Sequence, residues 1–143
     1  MIFSRMLHPE ILSVLARAGH GSGVLIADGN YPVLTHSPAT AAKVYLNLRR
    51  GLLGVTDVLE VLREIIPIER ATVMATRDGK PAPIHEEFAK LLPAGVEMQT
   101  LARFDFYAAV KQPETALVIA TGEERRFANL LLTIGVIKPE DKI

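Results

Sequence analysis

Five side chains in this sequence are of types that move protons or grip a small polar ligand: His20, Asp28, Arg103, Tyr107 and Asn129. His20 stands between Gly19 and the Gly21-Ser22-Gly23 turn. An imidazole titrates near neutrality and can give or take a proton at pH 7, and just past a helix it also suits the negative end of the helix dipole. Asp28 closes an apolar run and precedes Gly29-Asn30. A carboxylate there accepts hydrogen bonds from ligand hydroxyls or from a histidine N–H, and Asp-Gly is equally an ordinary turn. Arg103 is either a fork of donors for a polar ligand or a solvated surface residue. Tyr107, clustered with Phe104 and Phe106, offers an aromatic face for C–H surfaces or packs into a core or interface. Asn129 is either a ligand contact or a helix cap.

Other chemistries are set aside by composition and spacing. The 143 residues contain no cysteine, which removes disulfides, Cys-ligated zinc and a thiol nucleophile. His8, His36 and His85 show neither His-x₃-His nor His-Glu-x-x-His spacing, so no metal is expected. The glycines around His20 precede the first strand, whereas a dinucleotide or phosphate loop must follow one, and Ser22 and Ser37 lack the Gly-x-Ser-x-Gly elbow. Sixteen Lys+Arg against sixteen Asp+Glu leave a net charge of +0, with no field to gather nucleic acid or anionic lipid. The N-terminus does not read as a signal peptide and no apolar run is long enough to span a bilayer, so a cytoplasmic, soluble protein is expected. A mean hydropathy of +0.24 at zero net charge favours self-association.

The elements that must position these groups alternate. Pro9 opens a helix from His8 to about Ala18, stopped by Gly19, and Val24–Ala27 reads as a buried strand ending at Asp28. Ala39–Leu48 is expected as a helix. Thr56 is expected to cap a third helix carrying Val58, Leu59, Leu62, Ile65 and Ile66, ended by Pro67. Strands over Ala71–Ala75, Val96–Leu101 and Ala116–Ala120 are separated by helices over Ile84–Leu92 and Phe104–Val110. Leu130–Val136 is apolar enough for a strand or a buried helix. The expectation is one α/β domain over residues 1–143 with a mainly parallel sheet flanked by helices, whose ligands lie beyond the carboxyl ends of the strands.

Three segments together, Arg17-Ala18-Gly19-His20-Gly21, Ile26-Ala27-Asp28-Gly29-Asn30-Tyr31-Pro32 and Thr121-Gly122-Glu123 leading to Phe127-Ala128-Asn129-Leu130-Leu131-Leu132 with Gly135-Val136, resemble the ribose pyranase and fucose mutarotase family. Arg103-Phe104-Asp105-Phe106-Tyr107 resembles its fucose branch. The resemblance implies a small α/β fold assembled into rings, commonly decamers, with a free monosaccharide held at subunit boundaries and its anomers interconverted without metal or cofactor. It implies proton transfer by His20, with Asp28 orienting it or holding sugar hydroxyls, and Arg103, Tyr107, Phe127 and Asn129 around the ring. Phe127 stands where relatives usually carry a tyrosine and has no proton to give. A sugar-binding or transport-linked protein without the chemistry is the competing expectation.

Overall fold

In the computed structural model, which describes residues 1–142, the elements are α1 (Pro9–Arg17), β1 (Gly23–Ala27), β2 (Ala42–Tyr45), α2 (Val55–Leu62), β3 (Ile68–Met74), α3 (Pro83–Leu91), β4 (Glu97–Leu101), α4 (Arg103–Val110), β5 (Thr115–Ala120) and β6 (Leu130–Ile134). The strands form one sheet in the order β2-β5-β1-β6-β3-β4. β1, β2 and β5 pair in parallel, as do β3 and β4, and β6 runs antiparallel to both its neighbours, β1 and β3. Five of the six strands thus run the same way, as expected of a mainly parallel sheet, which is mixed only through the reversed β6 inserted between its two parallel groups. Among the described residues no helix is long and apolar enough to cross a membrane.

β1 is apolar at every position because both its faces are covered. Val24 and Ile26, with Leu117, Ile119, Leu130 and Leu132, pack against Ile11 and Val14 of α1, Leu59 and Leu62 of α2 and Phe88 of α3. Leu25 and Ala27, with Val118 and Ala120, face the other way onto Phe106 and Val110 of α4 and onto Tyr31, Val33 and Ala41. Successive strand residues serve opposite layers, so a shift of one residue in β1 would exchange the two cores.

Three local expectations are corrected. The helix expected over Ala39–Leu48 is instead the edge strand β2, in which Val44 is buried opposite Ile119 while Tyr45 is exposed. Helix formers in this run yield to the ladder offered by β5. The cap of α2 is Gly54, whose N–H donates to Asp57 Oδ2 at 2.7 Å, and not Thr56. That helix also ends at Leu62, leaving Ile65 and Ile66 in the turn before β3. Leu130–Ile134 is a strand. A central position between two strands satisfies its backbone while Leu130 and Leu132 are buried.

Candidate active site

The reversed direction of β6 builds the site. Chain segments leaving β1, β3 and β4 emerge at one edge of the sheet. Leu130, at the start of β6, pairs with Ile26 and Val73 near the ends of β1 and β3, so the chain entering β6 arrives at the same edge. Asp28, Met74, Arg103 and the Arg126–Asn129 segment thus meet although they are far apart in sequence. They line a cleft of about 390 Å³ together with Asn30, Tyr31 and Tyr107, a volume within the range of small-molecule sites.

Asp28 forms its floor and is only 5% exposed. Asn129 holds it from both ends: Asp28 N–H donates to Asn129 Oδ1 at 2.8 Å, and Asn129 Nδ2 donates to Asp28 Oδ2 at 3.0 Å. The Asn30 N–H donates to Asp28 Oδ1 at 3.0 Å. Burial pushes the Asp28 carboxyl above the ordinary carboxylate value, backbone N–H groups of Asn30, Ala128 and Tyr31 oppose that rise, and the charge of Glu123 adds to it. A carboxyl so placed can switch between proton acceptor and donor more readily near neutrality than a solvated aspartate.

Around it, Tyr31 and Tyr107 stand edge to face with ring centroids 5.6 Å apart, and the His36 ring lies 4.5 Å from that of Tyr107. The Tyr31 phenol donates to the His36 carbonyl at 2.8 Å and is pushed to higher pKa mainly by burial, so it stays protonated. Arg103 at the start of α4 is exposed and lines the cleft. The Arg126 guanidinium lies 5.6 Å from the centroid of the Phe127 ring. Phe127 has φ 60, a left-handed conformation that costs a residue with a side chain roughly 1–2 kcal/mol and persists only where its surroundings hold it.

Those surroundings are specific. A Cβ on Gly122 would fall 2.3 Å from the Arg49 carbonyl oxygen and 2.4 Å from that of Leu52, so only glycine lets the strand exit pass there. Glu123, 5% exposed, accepts from Arg125 N–H at 3.0 Å, from the Arg125 guanidinium at 2.8 and 2.9 Å, and from the Val55 N–H that begins α2 at 3.1 Å. Hydrogen bonds from Arg125 outweigh burial and hold the Glu123 carboxyl at about 2. Arg125 then reaches Glu87 of α3 at 2.8 Å, which ties the loop after β5 to two helices.

His20 is not in this cleft. It lies before β1 and Asp28 after it, so the five residues of the strand separate them by roughly 16 Å at about 3.3 Å per residue. Its Nε2 sits 2.8 Å from Glu69 Oε2, with side chains 57% and 41% exposed, beside an apolar groove lined by Leu15, Ile65, Val136 and Ile137. The structure therefore brings Asp28, Arg103, Tyr107, Phe127 and Asn129 together and leaves His20 at the opposite edge of the same chain. Both ends of the Asn129 amide serve Asp28, which makes Asn129 the holder of that carboxylate.

The sequence reading did not single out Tyr31 or Arg126. Tyr31 carried a usable signal, since a tyrosine directly after Asp28-Gly29-Asn30 and before Pro32 is carried by the same turn. Among the described residues no group of three or more His, Asp or Glu side chains is arranged to hold a metal ion.

A mixed α/β sheet with an acidic, arginine-flanked cleft at the ends of its strands has the make-up of a small-ligand site. Residues 1–137 match the RbsD / FucU transport protein family, and the chain belongs to that family. It is 33% identical to a fucose mutarotase of Danio rerio over 96% of this chain and 94% of the relative. It is 32% identical to a D-ribose pyranase of Staphylococcus haemolyticus over 92% of this chain and 95% of that one. The structure superposes on Bacillus subtilis RbsD complexed with D-ribose with a TM-score of 0.80, at 27% identity, covering 96% of this chain and 100% of the other. With such relatives aligned over nearly their whole length, this protein is an isomerase of the racemase and epimerase class.

Proposed function

We propose that this protein interconverts the anomers of a free monosaccharide, L-fucose or a related sugar, in the cleft floored by Asp28. The observation that carries the reading is the Asp28 carboxylate, buried, clasped by Asn129 and flanked by Arg103 and Tyr107 in a cavity of about 390 Å³. The two arginines lining the cleft offer donors for several hydroxyls, and the Tyr107 and Phe127 rings offer surfaces for the apolar C–H face of a pyranose.

Mutarotation needs two proton movements. A base takes the proton of the anomeric hydroxyl while an acid protonates the ring oxygen, the bond from the anomeric carbon to the ring oxygen breaks, and an open-chain aldehyde forms. After rotation of the aldehyde the steps run backwards and the ring recloses on the other face. Asp28 serves as one of the two groups. His20 serves as the other, supplied by a second copy of the chain, since within one chain roughly 16 Å of strand separates them. The apolar groove beside His20, with Val136 and Ile137 56% and 62% exposed, supports a contact between copies there. Repetition of such a contact fits a ring, with a decamer as the reading from family resemblance. General acid–base help of this kind is worth about 10²–10⁴-fold.

The experiment is anomer exchange followed by saturation-transfer NMR on L-fucose and D-ribose. Wild type is expected to accelerate exchange of at least one of them over buffer, with His20→Ala and Asp28→Asn each reduced at least about 100-fold. Reassembling the two variants in equal amounts should restore about a quarter of wild-type activity, the share of sites that random pairing leaves intact at a head-to-tail contact. Sugar binding by calorimetry with no acceleration would instead establish a binding protein, and no recovery in the mixture would remove the shared site.

A further inference from the structure

His85 is 2% exposed, lies outside the residues lining the cleft, and uses both ring nitrogens. The Ala82 N–H, at the start of α3, donates to its Nδ1 at 3.2 Å, so that nitrogen carries no hydrogen. Its Nε2 lies 2.9 Å from the Phe127 carbonyl oxygen, which can only accept. One tautomer satisfies both contacts, a neutral imidazole with the hydrogen on Nε2. The Phe88 ring stacks beside it with centroids 6.2 Å apart. The peptide whose carbonyl it binds joins Phe127, which lines the cleft, to Ala128, and the next residue, Asn129, clamps Asp28 through both ends of its amide. The chain of contacts runs from His85 through the Phe127 carbonyl and one intervening residue to the clamp at the floor of the cleft.

We propose that His85 is a positioning residue, which through its Nε2–H holds the Phe127–Ala128 peptide in the orientation that sets the Asn129 amide against Asp28. The proposal deepens the mutarotase reading and rests on it for its catalytic consequence. The peptide follows a residue at φ 60, a conformation that relaxes unless something outside the loop restrains it. The two nitrogens have separable tasks: Nδ1 closes the first turn of α3, and Nε2 restrains the site loop.

Two substitutions divide them. His85→Asn keeps an acceptor near the Nδ1 position and loses the reach to Phe127, whereas His85→Gln keeps a donor near the Nε2 position and gives up the helix contact. Saturation-transfer kinetics over a range of L-fucose and D-ribose concentrations should show kcat of His85→Asn lowered about tenfold or more with KM changed less than about threefold, as expected for a misaligned reacting group. His85→Gln should stay within about threefold of wild type, with both variants losing similar thermal stability. Amide hydrogen exchange at Asp28, whose N–H donates to Asn129 Oδ1, measured without sugar, should be faster in His85→Asn and unchanged in His85→Gln. Activity that falls in both variants in step with stability overturns the proposal, as does equal Asp28 exchange in the two. If wild type accelerates neither sugar, the mutarotase reading fails by itself, and the Asp28 exchange measurement still decides whether His85 holds that clamp.

Discussion

Asn129 holds Asp28 as a two-point clamp, its Oδ1 accepting from the Asp28 N–H at 2.8 Å and its Nδ2 donating to Asp28 Oδ2 at 3.0 Å. Asn129→Ala leaves a buried N–H without a partner, which costs about 1–3 kcal/mol, and frees the carboxylate to rotate. Urea denaturation should register the first effect and anomer exchange the second, with kcat lowered more than KM is raised. Asn129→Asp places a second carboxylate against Asp28 and should cost more activity near neutral pH than the alanine variant.

Asp28 also sets an acid limit. Its carboxyl lies above the ordinary value of 3.8 because burial penalises the charge more than the surrounding N–H groups reward it. If the ionised form is the working base, kcat/KM falls as pH drops through the raised value, and the acid limb of the profile lies above that of a solvated aspartate. Measured on Asp28→Asn, any residual activity should lack that limb. A limb at or below the ordinary value would show that Asp28 does not act in its ionised form.

Glu123 has the opposite sign. Its folded carboxyl is held at about 2 against an ordinary value of 4.5, so its contribution to stability is complete above the unfolded value and is lost as pH falls from about 4.5 toward 2. The shift corresponds to on the order of 3 kcal/mol, an upper figure because Arg125 is 44% exposed and solvent screens the pair. Glu123→Gln should unfold at lower urea concentration than wild type at pH 7, with the difference narrowing at pH 3. Equal pH dependence of the two midpoints would count against the ion pair.

Phe127 lines the cleft without a group that can carry a proton. Phe127→Tyr adds a phenol at the site loop and should raise exchange about tenfold on the better of the two sugars, short of the roughly 10²-fold that a first acid–base group gives. An unchanged rate would show that the protein's own groups already complete the proton path.

Much of the scaffold was legible because its signals are local. Pro9 and Gly19 bracket the first helix, Pro93 follows the helix read over Ile84–Leu92, and the short apolar run Val24–Ala27 between glycine-rich turns reads as the buried strand it is. β2 was not legible, since the alanines of residues 39–42 favour a helix until β5 offers its edge. Nor was the direction of β6, because an apolar run encodes burial and not polarity along the sheet. The site shows the same division. Asp28 and Arg103 follow strands and were found by position, whereas the service Asn129 gives to Asp28 spans 101 residues of sequence and has no local signature. His85 was considered only for metal-ligand spacing, although a histidine at the third position of α3 has the spacing of a helix-capping contact.

The inserted strand β6 has a consequence for how the protein works in a dilute cell extract. By turning the site loop toward one rim of the sheet while the imidazole lies at the other, it would make each polypeptide, on the proposed shared site, half of an enzyme at either end. Turnover per chain should then climb with protein concentration and level off once neighbours are always present. The same dependence would let a cell silence the reaction by separating subunits, with no inhibitor and no chemical change to the chain.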